Sequence, residues 1–575
     1  MEKKYIKIRQ ILVGIIFLVT FAIIGARAVQ VQVFDGPWLS KKASDQYEKS
    51  FTAAGKRGII YDRNFRELAV SIEVTSIAAY PKQIKHAGAT AKVLAKALDI
   101  HSSKIKQKLT SKKSFVWIKR QTTPKETQAV QVLQLKGLEF IPEYNRFYPN
   151  TTLAAQALGF TGLDGDGLEG IEFFYNRNLK AANSIYTVFK DANGNGFNAE
   201  KKWVTITEGN NLVLTIDSSI QYITETTLQE TVTRFSARSG LAIVMAPKTG
   251  AILALAHYPF FNPNSYPDFH KELWRNRAIT DPFEPGSTMK IFSAAAAIES
   301  GDIHPSTIFF CENGAYRIGK NVVHDIKRHG WLSLQQIIKY SSNIGAVKLG
   351  EKIGPKRLYH TLRNFGFGEK TGIDCPGETA GTLTHYKHWS DIDAGTIAFG
   401  HGISVSALQL IRAVSVIAND GILMKPFIVQ AITDQQGKPV ESFKPQGLKR
   451  VISADTARLM KNIMKTVTTR GGTGVNAALE GYSASGKTGT ARKIDESGTY
   501  SEKKHTASFV GFTPSENPQI AILVVIDEPR EKYYGSEVAA PAFKKIAQET
   551  LHYLGIPPQS FKDKLRVSRD FEVQG

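Results

Sequence analysis

The chain has little cysteine: Cys311 and Cys375 are the only two in 575 residues, which excludes a disulfide framework as the source of its stability. Nothing in the sequence sets the distance between them, so two independent buried thiols are expected. No segment repeats at a fixed period and none is of low complexity, which sets aside solenoids and long disordered tails. The 13 histidines show no spacing suited to a metal ion. Acidic residues are also short, 52 against 73 lysines and arginines, and the net charge of +21 favours anionic surfaces such as lipid headgroups or wall polymers. Nucleic acid is disfavoured, because none of its recognition motifs is present. Long apolar runs are missing too, with one exception, Ile11 to Ala26.

That exception is informative. Lys3, Lys4, Lys7 and Arg9 precede it, and Ala28 and Val29 extend it while Arg27 snorkels toward water. At about 1.5 Å per residue the extended run approaches the thickness of the hydrocarbon core, and the basic flank places the N-terminus in the cytoplasm with the remainder exported. Ala26-Arg27-Ala28 offers a small-x-small cleavage site, but the apolar run exceeds a usual signal core and the site holds a charge. An uncleaved inner-membrane anchor, single-pass, is therefore expected.

A chain of this length exceeds one core, and 42% hydrophobic with 22% charged residues is ordinary for globular protein. The expected division is a cytoplasmic tail over 1–10, an anchor over 11–30, a non-catalytic α+β module over 31–230, a catalytic domain over 231–556 and a tail over 557–575. Phe34 to Ala54 reads as helical. Beyond Val70, short strands alternate with a helix over Thr123 to Leu135 and with turns at Leu163 to Gly170 and Asp191 to Gly196. Gly209 to Gln221 reads as a strand entering a helix. Strands are expected at Leu241 to Ala246, Ala251 to His257, Tyr482 to Lys493, Thr506 to Phe512 and Ile520 to Ile526, closed by a helix over Val538 to Leu554. The fold class is α+β: a five-stranded antiparallel sheet covered by helices, with a helical region between the second and third strands.

Three blocks in that domain carry chemistry: Ser287-Thr288-Met289-Lys290, Ser341-Ser342-Asn343 and Lys487-Thr488-Gly489-Thr490. Pro285 and Gly286 precede a run from Ser287 to Ser300 that reads as a helix, so the i, i+3 spacing puts Ser287 and Lys290 on one face. A serine hydroxyl needs a base within hydrogen-bond reach. Lys290 serves if burial beside a second cation, Lys487, disfavours its ammonium form. The helix N-terminus favours a developing oxyanion. Ser341 and Asn343, after the helical stretch Trp331 to Tyr340, offer a proton relay and an amide contact. The extended run around Lys487 suits pairing with a peptide strand. Each block alone is commonplace as a surface pair, a cap or a hairpin end; the three in order are not.

With Arg57 to Asn64, Arg146-Phe147-Tyr148-Pro149, Gly167 to Glu172, Leu214-Thr215-Ile216-Asp217, Phe283 to Lys290, Phe399 to Val405 and Ile526 to Pro529 in register, the chain resembles the class B penicillin-binding proteins along nearly its whole length, closest to their division-specific branch. The resemblance implies a periplasmic or extracytoplasmic D,D-transpeptidase without cofactors, acting on the D-Ala-D-Ala ends of peptidoglycan stem peptides and inhibited by β-lactams. It implies Ser287 as nucleophile, Lys290 as base, Ser341 and Asn343 as relay and carbonyl contact, and Lys487, Thr488, Gly489 and Thr490 as the carboxylate site. The backbone N–H groups of Ser287 and Thr490 form the implied oxyanion hole. Implied partners are a SEDS-type glycosyltransferase and other divisome membrane proteins. Ala246 stands where the family often has Asp, which bears on a turn and not on activity. Arg57 to Asn64 reads as packing, and His401 between glycines as a turn residue.

The alternatives are an elongation-specific transpeptidase, a β-lactam-binding sensor without turnover and a hydrolase. A class A hydrolase needs a second carboxylate base, and no Glu-x-x-Leu-Asn block lies between Asn343 and Lys487.

Overall fold

The computed structural model describes residues 2–53, 55–181, 184–189, 202–203, 208–495 and 498–558. The expected turn at 191–196 and nearly all of the tail over 557–575 lie outside these. The chain divides into two compact units: 1–56, 73–144 and 181–208 form one, and 57–72, 145–180 and 209–575 the other.

The first unit begins with a helix over Glu2–Val29, continued to Phe34 by a wider turn and exposed along its described length. It is long and apolar enough to cross a membrane. A helix follows over Gly36–Tyr47, but the predicted continuation to Ala54 does not form. Glu48–Ala53 is instead a strand, antiparallel to Ser184–Phe189. The partner lies more than 130 residues away, so no local propensity announces it. A lobe with its own core packs helices Ala87–Leu98, Ser102–Leu109 and Pro124–Gln131 through Leu94, Leu98, Ile105, Leu109 and Val130. Thr123 closes a capping box with Glu126, which starts the last of these where the sequence places it.

The second unit is built on a five-stranded sheet. Its strands are β1 (Ser239–Met245), β2 (Ile252–Tyr258), β3 (Ser485–Ile494), β4 (Tyr500–Thr513) and β5 (Ile520–Asp527). Their order is β2-β1-β5-β4-β3, antiparallel throughout. The turn after Ala246 forms, with the Gly250 N–H donating to the Ala246 carbonyl at 2.9 Å. β1, β2 and β5 are buried on both faces, which is why they read as continuous apolar runs and not as alternation. Helices Ser218–Arg234 and Gly535–Tyr553 contribute to the core on one face. On the other face lies the larger core, which includes Lys290–Glu299 and Ala407–Ala418. That order leaves β3 at one edge, with one neighbour in the sheet.

Segments from the N-terminal half complete this unit. Ile60–Tyr61 pairs in parallel with Asn211–Leu214, which pairs with Val429–Thr433. Arg57 is buried: its Nε donates to Glu172 Oε2 at 2.6 Å, while Arg146 Nε donates to Glu172 Oε1 at 2.6 Å. The resemblance-bearing runs around residues 57, 146 and 172 thus meet in one ion cluster. Both cysteines are free and buried, Cys311 beside Ser342 and Cys375 beside Asn276.

Candidate active site

Gly286 adopts φ +56°, and the chain turns there into a short 3₁₀ segment, Gly286–Met289, continuous with the helix Lys290–Glu299. The 3₁₀ geometry holds i and i+3 close, and Lys290 Nζ stands 3.1 Å from Ser287 Oγ. The turn is locked from outside. Phe283 exchanges two backbone hydrogen bonds with Val405, and a Cβ on Gly400, at φ +95°, would meet the Gly286 carbonyl oxygen at 1.8 Å. Only glycine fits there.

The second block sits in a break between helices. Trp331–Ser333 is a short strand paired with Ile308–Phe310, and the helix starts at Leu334, later than expected, because Ser333 forms a capping box with Gln336. That helix ends at Tyr340; Ser341 turns left-handed at φ +61°, and Ser342 caps the next helix, Asn343–Ile353. The break aims two oxygens at Lys290. Its Nζ donates to the Ser341 carbonyl at 2.8 Å and to Asn343 Oδ1 at 2.7 Å, and lies 3.2 Å from Ser341 Oγ. From β3, Lys487 Nζ donates to Ser341 Oγ at 2.8 Å.

Ser287, Lys290, Ser341, Asn343 and Lys487 therefore form one connected cluster. Thr488 and Thr490 lie beside it on β3: Thr488 is mostly buried, and Thr490 Oγ1 accepts the Gly535 N–H at 3.0 Å. Gly489 lets β3 approach the turn that carries Ser287, since a Cβ there would meet Ser508 Oγ at 2.3 Å and the Pro285 carbonyl oxygen at 3.0 Å.

Burial drives the Lys290 amine down to about 7, with the Asp325 carboxylate pulling the other way. Lys487 is driven well below its usual range by burial and then by the charge of Lys290. Desolvation, and not a cationic Lys487, is thus what frees the Lys290 lone pair. A neutral amine has two N–H donors and one lone pair. With the two carbonyl oxygens taking the donors, the lone pair is left for a hydroxyl, and Ser287 Oγ is within reach.

Asp325 was not legible in the sequence. It accepts from Ser342 Oγ at 2.6 Å and from the backbone N–H groups of Asn343 and Ile344, pinning the N-terminus of the Asn343 helix. Its position follows a hairpin, Ala315–Ile318 with Asn321–His324, that nothing local marks as part of a site. Glu284 was missed as well. It accepts from the Tyr500 hydroxyl at 3.0 Å and from the Gly402 N–H at 3.0 Å, and its Oε2 lies 3.0 Å from His401 Nδ1. His401 is a turn residue, as expected, with a fixed partner. Among the described residues no three His, Cys, Asp or Glu side chains gather as a metal site.

Residues 240–548 match the penicillin binding protein transpeptidase domain and residues 52–214 the penicillin-binding protein dimerisation domain. The chain is 36% identical over 547 residues to the probable peptidoglycan D,D-transpeptidase PenA of Neisseria meningitidis, covering 94% of this chain and 92% of that one. It is 32% identical over 558 residues to the peptidoglycan D,D-transpeptidase FtsI of Escherichia coli K12, covering 96% and 92%. A crystal structure of penicillin binding protein 3 from Mycobacterium tuberculosis, complexed with aztreonam, superposes with a TM-score of 0.68 at 27% identity, covering 88% of this chain and 98% of that one.

Proposed function

This chain belongs to the class B penicillin-binding proteins and is a peptidoglycan D,D-transpeptidase, and on that premise we propose that it cross-links stem peptides through an acyl-enzyme on Ser287 during septal wall synthesis. The observation that carries the chemistry is the 3.1 Å approach of Lys290 Nζ to Ser287 Oγ, with both Lys290 donors engaged by oxygens. The donor peptide lies along the open edge of β3, its terminal carboxylate held by Thr488, Thr490 and Lys487. Lys290 takes the Ser287 proton as Oγ attacks the carbonyl of the penultimate D-Ala, and the Ser287 and Thr490 N–H groups stabilise the oxyanion. Ser341, bridging the two lysines, returns a proton to the departing D-Ala amine as the C–N bond breaks. An amine of a second stem then attacks the ester, its proton passes to the Lys290 side, and Ser287 is released.

β-Lactams enter as acyl donors whose leaving amine stays tethered. The N-terminal helix anchors the chain, with residues before Ile11 cytoplasmic and the catalytic domain outside. The division at 10, 30, 230 and 556 describes tail, anchor, non-catalytic module, catalytic domain and C-terminal tail. A separate SEDS-type polymerase supplies the glycan strands, because the N-terminal module holds no glycosyltransferase carboxylate motif. Septal service is supported by the resemblance around Ser287, Gly402 and Asp527.

Labelling with a fluorescent penicillin, followed by peptide mapping and by the rate of label loss, tests the chemistry. A long-lived ester on Ser287 is expected; an adduct elsewhere, or release within seconds, overturns it. For the cellular role, depletion is expected to give long undivided cells with a fluorescent fusion at the septum. Round cells with side-wall fluorescence would assign the chain to elongation.

A further inference from the structure

More than half of the chain's excess charge sits in one lobe. Residues 81–136 hold thirteen lysines and arginines against two acids, Asp99 and Glu126, a net +11 out of +21. The lobe lies in the first unit and has its own core, so its charges are fixed on a scaffold and do not belong to a loose tail. Its helices turn Ala91, Leu94, Leu98, Ile105 and Leu109 inward, which leaves the lysines outside. Lys82, Lys85, Lys92, Lys96, Lys104 and Lys106 are exposed, as are Lys108, Lys112, Lys113, Lys125 and Lys136. Among the described residues, Lys119 alone of the lobe's lysines reaches a carboxylate, that of Glu126 at 2.6 Å. Lys92 with Lys96, and Lys104 with Lys108, place like charges four residues apart on one helix, a spacing that works against the helix unless an anion lies over both.

We propose that this lobe is a docking surface for the anionic phospholipid headgroups of the membrane that anchors the chain. The charge complement is phosphate, and two adjacent helices with exposed lysines make a broad face, suited to a plane and not to a single strand. The same compact unit contains the membrane-length helix, so the tether holds the lobe at high effective concentration over that membrane. Each lysine brought to an anionic surface strengthens association about fivefold, and the attraction falls off within a Debye length. Docking holds the first unit against the bilayer surface and thereby limits where the attached catalytic unit samples the wall.

Docking rests on the anchor reading, and the test separates the two. The full chain is reconstituted into vesicles of phosphatidylcholine alone and of phosphatidylcholine with about a third phosphatidylglycerol, and amide exchange is followed across 87–113. Slower exchange in the anionic vesicles, lost in 0.5 M NaCl, is expected. A variant with K92E, K96E, K104E and K106E should lose the difference, while its penicillin acylation rate, which belongs to the other unit, stays within twofold. An unchanged circular dichroism spectrum and melting temperature serve as the control for folding. Equal exchange in the two vesicle types overturns the docking surface. So does protection given by soluble polyphosphate over phosphatidylcholine vesicles and not by phosphatidylglycerol, which would assign the lobe to a polymer. Failure to float with either vesicle strikes the anchor instead.

Discussion

At the scale of single residues, the proposed chemistry turns on Lys290. With its amine near 7 by burial, the fraction in the neutral, proton-accepting form rises as pH passes upward through that value, so acylation should rise with it and level off above about 8. Lys290→Ala should lose about 10²–10⁴-fold in acylation rate, because Ser287 has no other base at hydrogen-bond distance. The fold should survive, since a buried amine costs more in desolvation than an alanine does. A near-native rate in stopped-flow labelling would give the serine proton to another group. Asp325 acts through Lys290: its carboxylate favours the ammonium, so removing that charge should lower the amine further. Asp325→Asn should therefore move the rising limb of the pH profile to more acidic pH and slow the plateau. A limb that stays put or moves to alkaline pH refutes the electrostatic role, whatever happens to the rate.

Among the elements, β3 combines two requirements that conflict in most strands. As the sheet edge it leaves one row of backbone groups unpaired, which the proposed peptide pairing requires, and it presses against the turn that carries Ser287. Glycine at 489 satisfies the second. Gly489→Ala puts a methyl group against the Ser508 hydroxyl and the Pro285 carbonyl, and the latter is backbone of the turn that carries Ser287. Overpacking of this kind costs about 1–3 kcal/mol. The larger effect should be on penicillin acylation, which is expected to fall by more than tenfold while the melting temperature falls by only a few degrees. Full activity with an intact melting temperature would show that the turn has slack. An exposed edge also invites pairing with other chains; Arg492 at its exposed end and the adjacent Lys493, paired with Asp527 at 2.8 Å, keep it charged.

For the whole molecule, the buried cluster of Arg57, Arg146 and Glu172 ties three distant stretches of the N-terminal half into the catalytic unit. Burial alone would raise the Glu172 carboxyl, but Arg146 and Arg57 more than offset it and hold it below the carboxylate range. A carboxyl with a depressed folded value contributes its stability above the unfolded value, and the contribution is lost as pH falls through the folded one. Glu172→Gln leaves two guanidinium groups in the interior with no counter-charge, a loss of about 3–5 kcal/mol. Chemical denaturation should show that loss at pH 7, with less of it once pH has fallen far enough for the native carboxyl to take up its proton. An unchanged midpoint at pH 7 would mean that the arginines find other acceptors.

By itself the sequence determined the membrane-length helix, the five strands, with β4 beginning six residues earlier than read, and every member of the Ser287 cluster. Each of these is a local pattern: an uninterrupted apolar run, a burial-driven hydrophobic segment, or a short block whose spacing sets one helix face. Only the tertiary structure decided what depends on partners far away in the chain. Glu48–Ala53 became a strand because Ser184–Phe189 lies beside it. Asp325 and Glu284 joined the site because a hairpin and a turn carried them there. The state of Lys290 was decided last and least locally, since its amine is set by how completely the surrounding helices and β3 exclude water, and no spacing of letters measures that.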